Sequence, residues 1–414
     1  MNKSIEASLT EDYTHPVRDA LWGHIYMTEK QALLTESSPF VKLCRIFQLG
    51  PVFHVYPGAT HTRASHSIGV YHLGRRLLQN LVERGAQSSL TSEGVKSFLA
   101  ACLLHDLGHF PYTHSLKELP LVSHESLTGA IILKEPIKSL VAGTGADPYL
   151  TAAIVDKEMT LCGDELYFYR KLMSGALDPD KLDYLNRDAR YCGVPYGAQD
   201  VDFILSRLIP NIERGVDIDS RLIPNVESIL FSKYLMYRTV YWHRQVRAAT
   251  AMVKKAILNS LESCKITGDE LYNLDDNGLF TLLGEKTGEP LIEAVREGRF
   301  FITAAEIPHE QVNLTAMRDI NCRCELEKQI ETALGIKGVI IDIPEPVSFE
   351  TGLFVVDEGR SFGESSSAFK TETVNAFIQT LYTIRIFIDQ KYKDTIKTNT
   401  NFYGILDKII KREA

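Results

Sequence analysis

The sequence lacks the long hydrophobic run that a membrane span requires, since no apolar stretch approaches the roughly 18 residues such a span needs. Its first residues also lack the basic and then apolar pattern of a secretory signal peptide. The seven cysteines are odd in number and scattered, and the one close pair, Cys322 and Cys324, is a weak metal signature. We therefore expect reduced thiols, no membrane partner and a cytoplasmic location.

An excess of positive charge is also missing. The chain has 45 Lys and Arg against 53 Asp and Glu, which gives a formal net charge of −8. That balance argues against a protein that coats nucleic acid, whereas a small anionic substrate needs only a local basic pocket. With 44% hydrophobic and 24% charged residues, a chain of 414 residues is an ordinary globular protein with room for a large core.

The hydrophobic pattern of the sequence changes at about residue 295. Up to about residue 295, apolar residues recur every three or four positions, as at Val70, Leu73 and Leu77, which predicts helices and few strands. Beyond it, residues 300–305, 339–343 and 353–356 have strand-like patterns, and helices are predicted over 319–334 and 371–390. We therefore predict a mainly α fold, with a helical domain over residues 1–295 and a smaller C-terminal α+β domain over residues 296–414.

Histidine is concentrated in one part of the chain, because eight of the 12 histidines lie between His54 and His124. Within this region, His105 and Asp106 end the most apolar predicted helix, where both side chains can reach one ion. An ionised aspartate beside an apolar run is costly unless a cation or hydrogen-bond donors compensate it. Taken alone, the pair is better explained by a capped helix end with a buried histidine than by a metal site.

Two other segments change that balance. His66 lies near the start of a predicted helix, and Arg63, one turn before it, offers donors that suit a phosphate. Asp178 and Pro179 are a typical N-cap and first residue of another helix. One face of that helix carries three polar residues spaced by four: Asp180, Tyr184 and Asp188.

Together these segments supply two imidazoles and two carboxylates as candidate metal ligands: His66, His105, Asp106 and Asp180. Such nitrogen and oxygen ligands suit a divalent Mn, Fe or Zn ion and, less well, Mg. A metal there would lower the pKa of a bound water and polarise a phosphorus centre. The candidates for proton transfer are the remaining histidines that follow the pair: His109, His114 and His124.

The order of these residues resembles the H…HD…D pattern of the HD-domain metal phosphohydrolases. The flanking sequence at 22–25, 47–50, 56–70, 104–114, 124–125 and 180–184 is similar to the deoxynucleoside triphosphate triphosphohydrolase branch, which includes SAM-and-HD-domain and dGTPase-like enzymes. The similarity extends from about residue 18 to about residue 300. The flanking blocks, in order, make the resemblance much more specific than the bare pattern.

The resemblance implies a role for each matched residue. The metal ligands would be His66, His105, Asp106 and Asp180. The residues that contact the triphosphate would be Arg63, Lys181, Tyr184 and Arg238. Gln48 and Asp188 would contact the sugar 3′-hydroxyl, Leu49 would pack on the sugar and base, and Tyr184 would select deoxyribose. The general acid would be His124, supported by Glu125, with His109 and His114 beside it.

The reaction that the resemblance implies is attack of a metal-activated water at the α-phosphorus, which releases deoxynucleoside and inorganic triphosphate. The resemblance also implies a homo-oligomer, a dimer or a tetramer. Two departures leave alternatives open: the positions that hold a regulatory guanine nucleotide in the animal enzyme are Glu36, Val41 and Cys44 here, and a tyrosine near the base is Val246. The alternatives are an HD phosphohydrolase that acts on another nucleotide or phosphoester, and a non-catalytic regulator that binds nucleotides or nucleic acid.

Overall fold

Helices make up most of the chain before residue 297 in the computed structural model, which describes residues 3–312, 317–345 and 347–410. These helices are α1 (Lys3–Thr10), α2 (Glu29–Thr35), α3 (Ser38–Leu43), α4 (Arg63–Glu83), α5 (Ser92–Leu104), α6 (His124–Ile132), α7 (Ile137–Gly143), α8 (Pro148–Val155), α9 (Asp164–Met173), α10 (Pro179–Cys192), α11 (Val201–Arg207), α12 (Ile223–Met236), α13 (Arg244–Glu262), α14 (Gly268–Tyr272), α15 (Asp276–Thr281) and α16 (Pro290–Arg296).

Two antiparallel hairpins interrupt this helical part. They are β1 (His15–Asp19) with β2 (Gly23–Met27), and β3 (Ile209–Asn211) with β4 (Gly215–Asp217). The sequence pattern does not predict them, because strands of three to five residues are too short for alternation to stand out against the helical pattern. The first hairpin matters for the site below, since its turn residues contact α10.

The central helix is α5, whose residues from Val95 to Leu104 are buried except Lys96. Because it is apolar on nearly every side, it is surrounded by other helices, and α4 and α8 pack directly against it. The predicted ends of α10 are confirmed: Asp178 Oδ1 accepts a hydrogen bond from the Lys181 amide at 2.7 Å, and Gly193 closes the helix with φ 67°. Helices α4, α5 and α10 therefore form the frame on which the candidate site is built.

The C-terminal region combines helices with a three-stranded antiparallel sheet of order β5-β9-β6, where β5 is Ile302–Pro308, β6 is Ile340–Asp342 and β9 is Thr383–Ile388. A further hairpin pairs β7 (Phe354–Val355) with β8 (Arg360–Ser361). The helices are α17 (Ile320–Leu334), α18 (Phe362–Ser365), α19 (Thr371–Leu381), α20 (Lys393–Thr398) and α21 (Phe402–Ile410). The predicted mainly α fold with a C-terminal α+β region is confirmed.

The single helix predicted over residues 371–390 is wrong in its second half. Helix α19 ends at Leu381, and β9 begins at Thr383 as the central strand of the sheet. Ile386 pairs with Ala305 on one side and with Ile341 on the other. The alternating isoleucines of this segment are a strand pattern, and pairing with two neighbours fixes them as strand.

The sheet packs on the helical part through α13. Arg247 of α13 makes a buried two-pronged ion pair with Asp342 of β6, at 2.8 Å from Nε and 2.5 Å from Nη2. The predicted boundary at residue 296 falls at the end of α16, before β5, and it stays a prediction. No helix in the described ranges is long and apolar enough to cross a membrane.

Candidate active site

A cavity of about 450 Å³ opens beside α4, α10 and α13. Its lining collects twelve of the site residues that the sequence predicts: Gln48, Leu49, Arg63, His66, His105, Asp106, His109, His114, His124, Asp180, Tyr184 and Asp188. The other three predicted site residues do not line this cavity: Glu125, Lys181 and Arg238. The cavity therefore brings together segments that are more than 100 residues apart in the sequence.

The carboxylate cluster, as we call His66, His105, Asp106 and Asp180, lies at one end of this cavity. His66 is in the first turn of α4, His105 caps the end of α5, and Asp180 is in the first turn of α10. Ligand atoms of His66, His105 and Asp106 all lie within 4.8 Å of one another, and His66 Nε2 is 3.0 Å from Asp180 Oδ1. Three helix ends thus converge on one small volume.

Neighbouring groups shift the pKa values of Asp106 and His66 towards their charged forms. Burial alone would raise the pKa of Asp106, but His109, His105 and Arg63 lower it well below its usual range. Burial likewise opposes the charged form of His66, yet hydrogen bonds to Asp180 and Asp183 raise its pKa to about 10. With its carboxylates ionised, the cluster offers two imidazole nitrogens and two carboxylate groups, a donor set that fits a divalent Mn, Fe or Zn ion.

The imidazole cluster, as we call His109, His114 and His124, lies next to it. The ring centres are 4.0 Å apart for His109 and His124, 4.8 Å for His109 and His114, and 5.1 Å for His114 and His124. Burial lowers the pKa of His109 and of His124, that of His124 to about 2, so both rings are neutral at pH 7. His114 is solvent-exposed, and ligand atoms of the three rings lie within 4.8 Å of one another.

A close backbone approach joins the two clusters. The Gly108 amide donates to Thr128 Oγ1 at 2.8 Å, and that hydroxyl donates to the His105 carbonyl oxygen at 3.0 Å. A Cβ at position 108 would lie 2.2 Å from the His124 carbonyl oxygen, which is closer than any side chain permits. Glycine therefore lets the start of α6 approach the loop after α5 and brings His124 to Asp106.

Polar groups along the cavity wall remain available to a ligand. Arg63 pairs with Asp106 through Nη1 at 2.9 Å, while Gln48 Oε1 is buried without a hydrogen-bond partner. Asp188 is held by the His61 ring at 2.8 Å and by the Tyr241 hydroxyl at 2.6 Å. An unpartnered buried carbonyl oxygen is costly, so the position of Gln48 is best explained by a ligand that donates to it.

Lys181 and Arg238, which the resemblance assigns to a triphosphate, are engaged elsewhere. Lys181 Nζ donates to Asp178 Oδ2 at 2.6 Å and to the Gly175 carbonyl at 3.1 Å. Arg238 is exposed and donates to the Tyr234 hydroxyl at 3.0 Å. Both side chains would have to turn to reach a ligand in the cavity, and their roles stay predictions.

Glu125 lies behind the imidazole cluster rather than in the main cavity. Its Oε2 is 3.0 Å from His124 Nδ1, and it lines a second cavity of about 410 Å³ together with His105, His124 and Asp180. The two clusters thus form a wall between two cavities. Glu125 can orient the His124 ring from the side opposite the main cavity.

Two groups of residues escaped the sequence analysis. One lies behind His66 and consists of Asp19, Trp22, Asp183 and Arg187. The other lines the cavity from α13, next to Val246, and consists of Arg247, Thr250 and Lys254. The signal for the first group was Asp183 four residues before Arg187, a spacing that places both on one helix face. The signal for the second group was three polar residues spaced by three and four along α13.

The fold and the site together define an HD-domain protein with a further C-terminal region. The HD domain family matches residues 63–147, and the family described as HD associated region matches residues 203–411, a little over half of the chain. The chain therefore belongs to the HD-domain proteins that carry this associated region.

The chain is also similar to curated proteins of other organisms. An uncharacterized protein of Mycoplasma pneumoniae is 34% identical over 220 residues, or 50% of this chain and 51% of that protein. The deoxynucleoside triphosphate triphosphohydrolase SAMHD1 of Homo sapiens is 25% identical over 289 residues, or 61% of this chain and 45% of that protein. The chain thus spans about half the length of the curated relatives it matches.

A solved structure covers nearly the whole fold. The crystal structure of a hypothetical protein from Aquifex aeolicus superposes with a TM-score of 0.73 at 26% identity, and the match covers 92% of this chain and 98% of that one. The likeness therefore includes the C-terminal region as well as the HD domain.

Proposed function

We propose that this protein is a metal-dependent phosphohydrolase. The observation that carries the proposal is the convergence of His66, His105, Asp106 and Asp180 at one end of a cavity, with the guanidinium of Arg63 beside Asp106. A divalent cation held by these four residues would supply positive charge that polarises a phosphoryl group and activates water. Membership of the HD-domain family supports the proposal independently of the geometry.

The proposed substrate is a deoxynucleoside triphosphate, which is cleaved to deoxynucleoside and inorganic triphosphate. A cavity of about 450 Å³ is of the size that holds small-molecule ligands. Gln48 and Asp188 offer acceptors for a sugar hydroxyl, and Tyr184 lies on the same helix face as Asp180. Similarity to the human deoxynucleoside triphosphate triphosphohydrolase SAMHD1 supports this substrate class.

His124 is the proposed proton donor to the leaving oxygen. Glu125 Oε2 lies 3.0 Å from its Nδ1, which leaves the other ring nitrogen to face away from Glu125. Burial, His114 and Arg63 disfavour a proton on His124, whereas a bound triphosphate would favour it by placing negative charge nearby. His109 and His114 complete the surroundings of this ring.

The direct test is a panel of the four deoxynucleoside triphosphates with added Mn²⁺ or Mg²⁺, read for inorganic triphosphate. Release of triphosphate from at least one of them is expected, with none from Asp106→Ala. Intact nucleotides across the panel, with and without a guanine nucleotide as activator, would contradict the proposal. Light scattering on the same preparation tests the proposed dimer or tetramer.

A second candidate keeps the phosphohydrolase chemistry and changes the substrate to another nucleotide or phosphoester. It is favoured by Val246, which lines the cavity where the family has a tyrosine, and by the internal contacts that occupy Lys181 and Arg238. Mass spectrometry of products from a mixed nucleotide pool separates the two candidates. Binding without turnover of any nucleotide would instead favour a regulator.

A further inference from the structure

A second carboxylate lies on the side of His66 that faces away from the cavity. Asp183 Oδ2 is 2.8 Å from His66 Nδ1, while His66 Nε2 faces Asp180 at 3.0 Å. The side chains of both His66 and Asp183 are almost completely buried. His66 is therefore fixed at both ring nitrogens, by one carboxylate inside the cavity and one outside it.

Asp183 is itself held by three donors. Arg187 donates to it from Nε at 2.7 Å and from Nη2 at 2.9 Å, and the Trp22 indole donates at 2.6 Å. Because both oxygens of the carboxylate are bound, its plane cannot rotate. The oxygen that faces His66 consequently has one orientation.

The hydrogen-bonded chain continues to the first hairpin. Arg187 Nη1 donates to Asp19 Oδ2 at 2.8 Å, and Asp19 Oδ1 accepts from the amides of Leu21 and Trp22, each at 2.8 Å. Two carboxylates against one guanidinium leave one net negative charge behind His66. A buried negative charge there favours a cation on the opposite side of the ring.

The hydrogen-bonded side chains of Asp183 and Arg187 pack closely against the backbone of α4. A Cβ at Gly69, three residues after His66 in α4, would lie 1.9 Å from Asp183 Oδ1 and 2.4 Å from Arg187 Nη2. Arg187 is among the largest completely buried side chains of the protein. Burying an arginine is costly unless ion pairs compensate it, and Arg187 makes them with Asp183 and Asp19.

We propose that Asp183, oriented by Arg187, Trp22 and Asp19, is the positioning residue that sets His66 as a metal ligand. By accepting from Nδ1, Asp183 leaves Nε2, which faces Asp180 in the cavity, as the nitrogen that would bind a metal ion in place of a proton. This inference rests on the proposed metal site and adds to it the part of the protein that determines metal affinity. It also ties the hairpin at residues 15–27 to the chemistry of the cavity.

The test measures the dissociation constant of Mn²⁺ by competition with a coloured chelator, and the Co²⁺ absorption spectrum, on folded full-length protein. Asp183→Asn is expected to weaken Mn²⁺ binding about 10- to 100-fold and to shift the Co²⁺ bands. The matched control is Asp217→Asn, another buried aspartate held by an arginine, Arg214, at 2.8 and 2.6 Å but outside both cavities. A merely structural role would lower stability in both variants and leave metal affinity unchanged.

A milder variant covers the case in which Asp183→Asn does not fold. Trp22→Phe removes one hydrogen bond to Asp183 and keeps most of the ring, and it is expected to weaken Mn²⁺ binding about two- to fivefold. Unchanged affinity in the folded variants overturns the inference.

Asp106→Asn distinguishes a failure of the proposed metal site from a failure of the positioning role of Asp183. If Asp106→Asn retains its Mn²⁺, the proposed metal site itself is wrong. If it loses Mn²⁺ while Asp183→Asn and Trp22→Phe bind Mn²⁺ as tightly as the unmodified protein, only the positioning role fails.

Discussion

The two histidine clusters at the end of the cavity are built from the same side chain in opposite electrostatic surroundings. In the carboxylate cluster, Asp180 and Asp183 raise the pKa of His66 to about 10. In the imidazole cluster, burial and neighbouring positive or ring groups lower the pKa of His124 to about 2. Asp106 is the contact between them, because its Oδ1 is 3.3 Å from His105 Nε2 and 3.1 Å from His109 Nε2.

The pKa values of the rings thus depend on neighbouring carboxylates, and these carboxylates determine what each cluster can do. A ring that faces two carboxylates is suited to share them with a cation. A ring among other neutral rings, with one carboxylate at its back, is suited to take or give a proton once an anion arrives. The predictions that follow test whether this division of roles holds.

The largest effect is expected from removing the shared residue. Asp106→Ala deletes a candidate metal ligand and the contact to His109, so metal content should fall and turnover should drop about a thousandfold or more. Metal analysis and triphosphate release measure the two effects, with Asp217→Ala as the control. Retention of both metal and turnover would show that the carboxylate cluster is structural.

Removing only the proposed proton donor should distinguish the role of the imidazole cluster from that of the carboxylate cluster. His124→Asn is expected to lower turnover about 100- to 10,000-fold while metal content stays unchanged, because His124 belongs to the imidazole cluster alone. His54→Asn is the control, since His54 packs against Phe53 and Phe300 outside the cavity lining. A loss of metal in His124→Asn would mean that the imidazole cluster also holds the ion.

In metal-free protein, the two clusters should change the free energy of unfolding in different pH ranges. His109 and His124 have lowered pKa values, so below about pH 6.5 the unfolded chain binds more protons and the free energy of unfolding falls. His66, whose pKa is raised, contributes stability that is complete below pH 6.5 and is lost as pH rises through about 10.

Urea unfolding of the chelator-treated protein at pH 7, 6 and 5 measures the acid side of this dependence. A buried histidine whose pKa is lowered in this way, such as His124, should remove about 2 kcal/mol between pH 7 and pH 5. His124→Asn should therefore flatten the curve by about that amount. An equally steep curve in His124→Asn would show that this ring takes up its proton as readily in the folded protein as in the unfolded chain.

The smallest effect concerns the substrate side of the carboxylate cluster. Tyr184 lies one turn after Asp180 on α10, and removing its ring should admit a 2′-hydroxyl. In Tyr184→Ala, the preference for deoxy- over ribonucleotides is expected to fall about tenfold, as measured by the ratio of kcat/KM values. Tyr191→Ala, on the same helix but outside the lining, is the control. An unchanged ratio would place sugar selection elsewhere in the cavity.

Much of this arrangement could be predicted because short-range signals carry it. The cap at Asp178, the glycine at position 193 and the apolar run before His105 mark helix ends, and the ends of α5 and α10 are where ligands converge. The faces of α10 follow from spacing alone. Only the family resemblance predicts that segments far apart in the sequence lie in one site, because no local pattern contains that information.

What the sequence did not reveal depends on contacts between distant elements. The carboxylate of Asp183 looked like one more charge on α10, because its partners Trp22 and Asp19 lie in a hairpin too short to be recognised. The helix prediction over β9 fails because two neighbouring strands in the sheet decide its conformation. The ion pair of Arg247 with Asp342 likewise joins two elements that are far apart in the sequence.

The glycine between the two clusters also limits how this protein can evolve. An added carbon at position 108 would meet the backbone of α6, at the His124 carbonyl and the Thr128 amide, rather than a side chain that a second mutation can shorten. No single compensating substitution can therefore restore a lineage that loses this glycine. As long as descendants use His105 and His124 together, position 108 should be among the least variable of the chain, and a saturation library selected for folding and turnover should return glycine there almost alone.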